Sequence, residues 1–199
     1  MVQMKDIIKK TVSQQIMELY NRDNSWSKAA LAKLRRGIGK DLGEMPELFE
    51  YVLEGLPEEF YEKSKNEMEK AEKAIYQTLT LFAFHQQGKN DFMGRQEGKY
   101  GQSLGNAIRI LINRDIDKEV AIKRRFDKIL TAANIEELAV HSRGMIGLLK
   151  DGNIPIDYVN YANDLYWFQY PEYKKRVVLK WSKDYFRFNE KGENSDEKK

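Results

Sequence analysis

Residues 66–87 read NEMEKAEKAIYQTLTLFAFHQQ, and this stretch decides the fold. Ala71, Ile75, Leu79 and Phe82 recur at the spacing of a single helical face, while the first turns carry Glu67, Lys70, Glu72 and Lys73. The pattern predicts one long helix over about Asn66 to Gln87. The same period extends outward in both directions. Upstream, Ile8, Val12, Ile16 and Leu19 form one face of a first helix. Ser25 or Ser27 can cap a second helix that carries Leu31 and Leu34, and Gly37 and Gly39 stop it. Pro46 and Pro57 suit the first turns of short helices.

Downstream, Ser103 caps a helix through Ile108 and Leu111, and Asp117 caps one that buries Val120, Phe126, Ile129 and Leu130. Asn134 with Glu137 is a capping pair for a helix through Leu138, Met145 and Leu149, ended by Gly152. Asp157 opens a helix reaching about Phe168. Pro171 opens the last one, through Trp181 and Phe186. No run sustains the two-residue alternation of a strand, so the expected class is all-α.

One segment breaks the pattern. Gly88, Gly94, Gly98 and Gly101 punctuate a polar stretch holding Lys89, Arg95 and Lys99, which reads as a mobile surface loop in which Phe92 and Met93 can dock locally. The expected organisation is two small helical bundles joined through this glycine-rich loop. The N-terminal bundle is 1–87, the loop 88–101 and the C-terminal bundle 102–188, with a polar tail over 189–199. There is no internal repeat.

Composition narrows the function classes. The 199 residues are 41% hydrophobic, enough for a core, and 33% charged, with a formal net charge of only +3. The charge is unevenly spread: residues 44–72 carry ten Asp or Glu against three Lys or Arg, which leaves the rest of the chain at +10. An acidic segment beside a basic remainder suggests a basic face for a polyanion. There are no cysteines, so thiolate metal sites, disulfides and cysteine nucleophiles are excluded. Lys5, Asp6, Lys9 and Lys10 interrupt the first apolar stretch, unlike a secretion signal. No apolar run approaches the roughly 18 residues of a membrane span. The expectation is a cytoplasmic protein without a membrane partner.

Catalytic motifs are weak. Gly101-Gln102-Ser103-Leu104-Gly105 fits the serine-hydrolase elbow pattern, yet it follows a polar loop where a buried strand is required, and Ser103 reads better as a helix cap. His85 and His141 lack a second histidine at ligand spacing. Both read as structural or surface residues rather than ligands or bases; His85 lies near a helix C-terminus, where a cation would favour the dipole. Asp115 and Asp117 read as capping residues rather than metal ligands. No phosphate-binding loop occurs. The expectation is therefore no catalytic residue, no metal and no cofactor.

The basic clusters carry more. Lys33, Arg35 and Arg36 lie on one short helix. Arg109 and Arg114 lie on another, Lys123, Arg124, Arg125 and Lys128 on the next, and Lys174, Lys175 and Arg176 on the last. Such groups suit a polyphosphate backbone. Tyr100, Tyr166, Trp167 and Tyr170 are aromatic candidates for base stacking.

Several segments also occur in a telling order. Leu34-Arg35-Arg36-Gly37 is followed by Ile75 through Gln86, then by Ser103-Leu104-Gly105 with Ala107, Ile108 and Leu111. Arg124-Arg125-Phe126, Leu130-Thr131-Ala132, Leu138, Arg143 and Leu148-Leu149 come next, and Asp157-Tyr158, Asp164-Leu165 and Trp181 close the series. Over about Trp26 to Phe186 this succession resembles the CasB family, the small subunit of the type I-E CRISPR surveillance complex Cascade. The acidic stretch around 58–72 and the tail lie outside the likeness.

The resemblance implies an all-helical fold of two bundles and a non-catalytic subunit present in two copies. Its implied partners are the other Cascade subunits, a second copy of itself, the guide RNA, and the target or displaced DNA strand. It implies nucleic-acid contacts at Arg35, Arg36, Arg125 and Arg143, to which local basicity adds Lys73, Arg95, Lys99, Arg109 and Lys174. Some of these arginines could instead pair with Asp157 or Asp164. Two rival readings remain. A helical protein–protein adaptor would spread its arginines over several faces, and a metal nuclease would converge Asp115, Asp117 and Glu119 in a cleft.

Overall fold

The structure, a computed structural model, describes residues 3–21, 25–94 and 103–192. Among them are ten α-helices and no strand. The helices are α1 (Met4–Asn21), α2 (Ser25–Arg36), α3 (Phe49–Leu53), α4 (Glu58–Tyr61), α5 (Lys65–Gln86), α6 (Leu104–Arg114), α7 (Glu119–Thr131), α8 (Ile135–Asp151), α9 (Tyr158–Phe168) and α10 (Pro171–Gly192).

Helix α5 organises the rest. Ser64 Oγ accepts from the Glu67 amide and the Glu67 carboxylate accepts from the Ser64 amide, so two of the first orphan donors are satisfied. From Ala74 to Ala83 every residue is buried, the signature of a helix surrounded on all sides. The buried hydroxyls donate back along the helix: Thr78 to the Ala74 carbonyl at 2.7 Å and Thr80 to that of Gln77 at 2.9 Å. Helices α1, α2, α8 and α9 pack around this segment. Helices from both sides of residues 88–101 thus share one hydrophobic cluster.

The caps on Ser103, Asn134 and Asp157 occur as expected, each side chain accepting from the amide three residues on. Other expectations change. Ser27 is not a cap; it is buried inside α2 and donates to the Leu19 carbonyl at the end of α1. Asp117 does not cap α7 either. A 3-10 turn, Ile116–Lys118, intervenes, and Lys118 takes the cap position without a side-chain bond. Val120 is 64% exposed, about 120° and 180° round α7 from the buried Phe126 and Ile129. The last helix runs on to Gly192, past the expected start of the tail.

Residues 88–94 are anchored, with Phe92 and Met93 docked locally as expected. Met93 is buried, its amide bonds Gln86 Oε1 at 3.0 Å, and its carbonyl accepts from Ile156 at 3.2 Å. Phe92 packs on Tyr20 with ring centroids 4.6 Å apart. Residues 95–101, with Arg95, Lys99 and Tyr100, lie outside the described residues.

His85 is a structural residue, and the protein holds it as a neutral ring rather than as a helix-end cation. It is fully buried, with Nδ1 2.9 Å from the Tyr158 hydroxyl, which lies 3.4 Å from the Leu81 carbonyl. Nε2 is buried without a partner. The network is satisfied when Nδ1 carries the proton, the tyrosine passes its own to Leu81, and Nε2 keeps a lone pair. Burial first, then the Lys150 and Lys89 charges, push the imidazole down to about 3. The folded value is depressed, so this stability is present above the ordinary value of 6.5 and is lost as pH falls toward 3. Between pH 6.5 and 5 the loss should be about 2 kcal/mol. Thermal melting across that window checks it: a His85→Leu variant should lose this part of the pH dependence.

Candidate nucleic-acid interface

Helix α5 packs against both α2 and α8, and near its C-terminal end basic side chains from each come together. From α2 comes Arg35, in the last turn. From just past α5 comes Lys89, after Gly88, whose φ of +71° turns the chain. From α8 come Arg143 and Lys150, seven residues apart and so on one face. Gly147 lies between them. A Cβ there would approach the Phe84 ring at 3.8 Å. Both cations flank that ring, Arg143 at 5.6 Å and Lys150 at 5.0 Å from its centroid.

The electrostatics are those of cations held close together, with Asp151 acting on Lys150 from nearby. The Lys150 ammonium is held below its ordinary range by burial first, with the Lys89 and Arg35 charges adding to it against the pull of Asp151. Burial likewise lowers Arg35. Lys89 donates to Asn153 Oδ1 at 2.5 Å and Lys150 to Gln87 Oε1 at 3.3 Å, both neutral acceptors. Among the described residues Arg35, Lys89, Arg143 and Lys150 make no ion pair. A partly desolvated group of this kind favours a polyanion more than scattered surface lysines do.

The other expected contacts fall elsewhere. Arg36, the last residue of α2, is exposed. Lys73 and Lys174 meet across a pocket of about 430 Å³ beside Asn134 and Gln169. Lys73 pairs there with Glu136 at 2.9 Å, and Lys174 donates to the Ala133 carbonyl at 2.9 Å. The Arg109 side chain is 13% exposed; it pairs with Glu119 at 3.2 Å and lies over the Tyr185 ring. Arg125 stands on the exposed side of α7, its guanidinium turned onto the Ala121 carbonyl. Of the two aspartates suggested for an arginine, Asp164 takes a lysine and an indole instead. Asp157 caps α9. Asp164 accepts from Lys180 at 2.7 Å and from the buried Trp181 indole at 2.8 Å. Tyr166 is buried and shares a 2.9 Å hydrogen bond with Tyr170, while Trp167 packs on Tyr173.

Sequence reasoning passed over Lys89 and Lys150 as site residues. Each is a lone lysine at a helix end, far from the other in the chain. The readable signal was the Arg143, Gly147, Lys150 stripe, where a small residue leaves room for an aromatic ring between two cations.

Fold and site together define an all-helical protein that presents a compact patch of unpaired cations. The chain belongs to the CRISPR-associated protein Cse2 family, whose family model matches residues 30–186. It is similar to the crystal structure of CasB from Thermobifida fusca, with 31% identity and a TM-score of 0.74 over 90% of this chain and 97% of that one. M. ruber CasB is 25% identical, with a TM-score of 0.62 over 92% of this chain and 98% of its own. A chain of a CRISPR RNA-guided surveillance complex shares the fold at 19% identity, with a TM-score of 0.69 over 98% of this chain and 100% of that one. No curated protein matches the chain.

Proposed function

We propose that this chain is the non-catalytic small subunit of a type I-E CRISPR Cascade complex. In this reading it holds the guide RNA–target DNA assembly and the displaced strand through backbone contacts. The observation that carries the reading is the α2–α5–α8 patch on a Cse2-family fold: four cations gathered at one place that make no ion pair among the described residues. Base pairing reads the sequence, so the protein needs only phosphate contacts and an unobstructed basic surface. Arg35, Arg143, Lys89 and Lys150 are the leading contacts, with Arg36 beside them. Lys73, Arg95, Lys99, Arg109, Arg125 and Lys174 are subsidiary. The other Cascade subunits and a second copy of the chain are the protein partners.

The adaptor reading expects arginines spread over several faces, and Arg109 and Arg125 do lie away from Arg35 and Arg143; the gathering of Arg35, Lys89, Arg143 and Lys150 is what favours nucleic acid over it. The nuclease reading needs Asp115, Asp117 and Glu119 to converge, whereas Asp115 pairs with Lys118 at 2.5 Å and Glu119 pairs with Arg109.

The test is to purify the chain with its native partners and sequence the nucleic acid that accompanies it. Guide RNA in the purified assembly is the expected result. An assembly lacking RNA would favour the adaptor. Within it, Arg36→Ala should lower target-DNA affinity equally for all sequences and reduce the salt slope by about one. The free variant should lose only about 0.3–1 kcal/mol, the worth of a cation at a helix C-terminus. Affinity at several salt concentrations, together with melting of the free variant, reads both effects.

A further inference from the structure

The acidic segment has a use of its own. Helices α1, α2 and α3 enclose a pocket of about 470 Å³, lined in part by Gln15, Glu18, Trp26, Glu50, Tyr51 and Glu54. The Gln15 side-chain Nε2 and Oε1 are both buried and have no hydrogen-bond partner among the described residues. An amide in that state is incomplete: its oxygen calls for a donor and its nitrogen for an acceptor. Trp26 and Tyr51 form an aromatic wall, edge to face with ring centroids 5.9 Å apart. Glu50 and Glu54 supply carboxylates, within a segment whose net charge over 44–72 is −7.

The chain itself shows what this rim attracts. Lys33 reaches it with Nζ 3.3 Å from Glu50 Oε1, 3.4 Å from the Tyr51 hydroxyl and 5.6 Å from the centre of the Tyr51 ring. Glu50 is held below its ordinary carboxylate range, first by the Tyr51 hydroxyl and then by Lys33. A cation set against a carboxylate and an aromatic face is therefore already present at one edge, and the pocket continues past it toward Gln15 and Glu54.

We propose that this pocket docks an arginine side chain presented by a neighbouring protein. A guanidinium offers a planar fork of donors that serves Gln15 Oε1 and a glutamate together, and it packs on aromatic rings. The peptide carbonyl beside that arginine supplies the acceptor for Gln15 Nε2. A free amine would leave Nε2 unserved, and a phosphate would face the glutamates. The site lies apart from the cationic patch, and the inference holds whether or not that patch binds nucleic acid.

The probe is acetyl-Gly-Arg-Gly-amide titrated into the full chain labelled with nitrogen-15. The reporters are the Gln15 side-chain amide and the Trp26 indole N–H. Both should shift saturably, and the citrulline peptide, which keeps the shape and loses the charge, should bind about tenfold more weakly. Glu54→Gln, at an exposed position, should weaken binding by about threefold while leaving the remaining amide spectrum unchanged. Equal binding of the citrulline peptide, or shifts that bypass both reporters, would overturn the proposal. Reporter shifts that depend on protein concentration alone would assign the pocket to a second copy and overturn it too.

Discussion

Gly105→Ala is expected to destabilise the chain by about 3 kcal/mol or more, since overpacking against rigid atoms lies at the upper end of such costs. Gly105 stands in the first turn of α6 where α10 crosses it. A Cβ there would run into the Trp181 carbonyl oxygen and sit 2.9 Å from the Tyr185 amide nitrogen. These are backbone atoms of a helix, so no rotamer change relieves the clash and the helices must part. Parting them disturbs Trp181, which is fully buried, and the Arg109–Tyr185 contact. The melting temperature should fall by about 10 °C for a chain of this length. Gly144→Ala is the control. It lies within α8, a Cβ there meets nothing within 4 Å, and the change should stabilise by about 0.5–1 kcal/mol through helix propensity. Comparable melting of the two variants would mean that α6 and α10 do not cross this closely.

The second large effect concerns binding. The triple variant Arg35→Gln, Lys89→Gln, Lys150→Gln should weaken single-stranded DNA or RNA binding by roughly a hundredfold at about 0.1 M salt. The slope of log affinity against log salt should become shallower by about two, since each lost phosphate contact on a single strand removes about 0.7. Folding should survive, because the three cations face one another and make no ion pair among the described residues. Removing them relieves repulsion as well as ending the polyanion attraction. Fluorescence anisotropy over a salt series measures the binding, and melting of the same variant checks the fold. A slope identical to that of the unmodified chain would place the nucleic-acid surface elsewhere. Lys73→Gln should have a smaller effect on binding, since Glu136 already neutralises that lysine at 2.9 Å.

The all-helical class, the long central helix and three of the caps were legible in the residues. They depend on partners within four positions, such as Ser103 with Asn106 or Asp157 with Asn160. The failures are of two kinds. Val120 stands six and nine residues before Phe126 and Ile129, about 120° and 180° round the helix from them, so the period itself turns it away from the face they bury, and it is exposed. His85 looks like a helix-end cation until Tyr158 and the walls around it are in place, after which only the neutral ring fits.

The site divides in the same way. By itself the amino-acid sequence determined that the chain is helical, that it carries arginines in a family-like order, and that its charge separates into an acidic segment and a basic remainder. The tertiary structure alone decided which of those cations stay unpaired. Lys73, Arg109 and Lys174 come within reach of Glu136, Glu119 and the Ala133 carbonyl, whereas Arg35, Lys89, Arg143 and Lys150 gather near the C-terminal end of α5 and make no ion pair among the described residues. The reason is range: helix and cap rules act over a turn or two of one segment, while the neutralisation of a charge depends on whichever atoms packing brings within a few ångströms of it, whatever their distance along the chain.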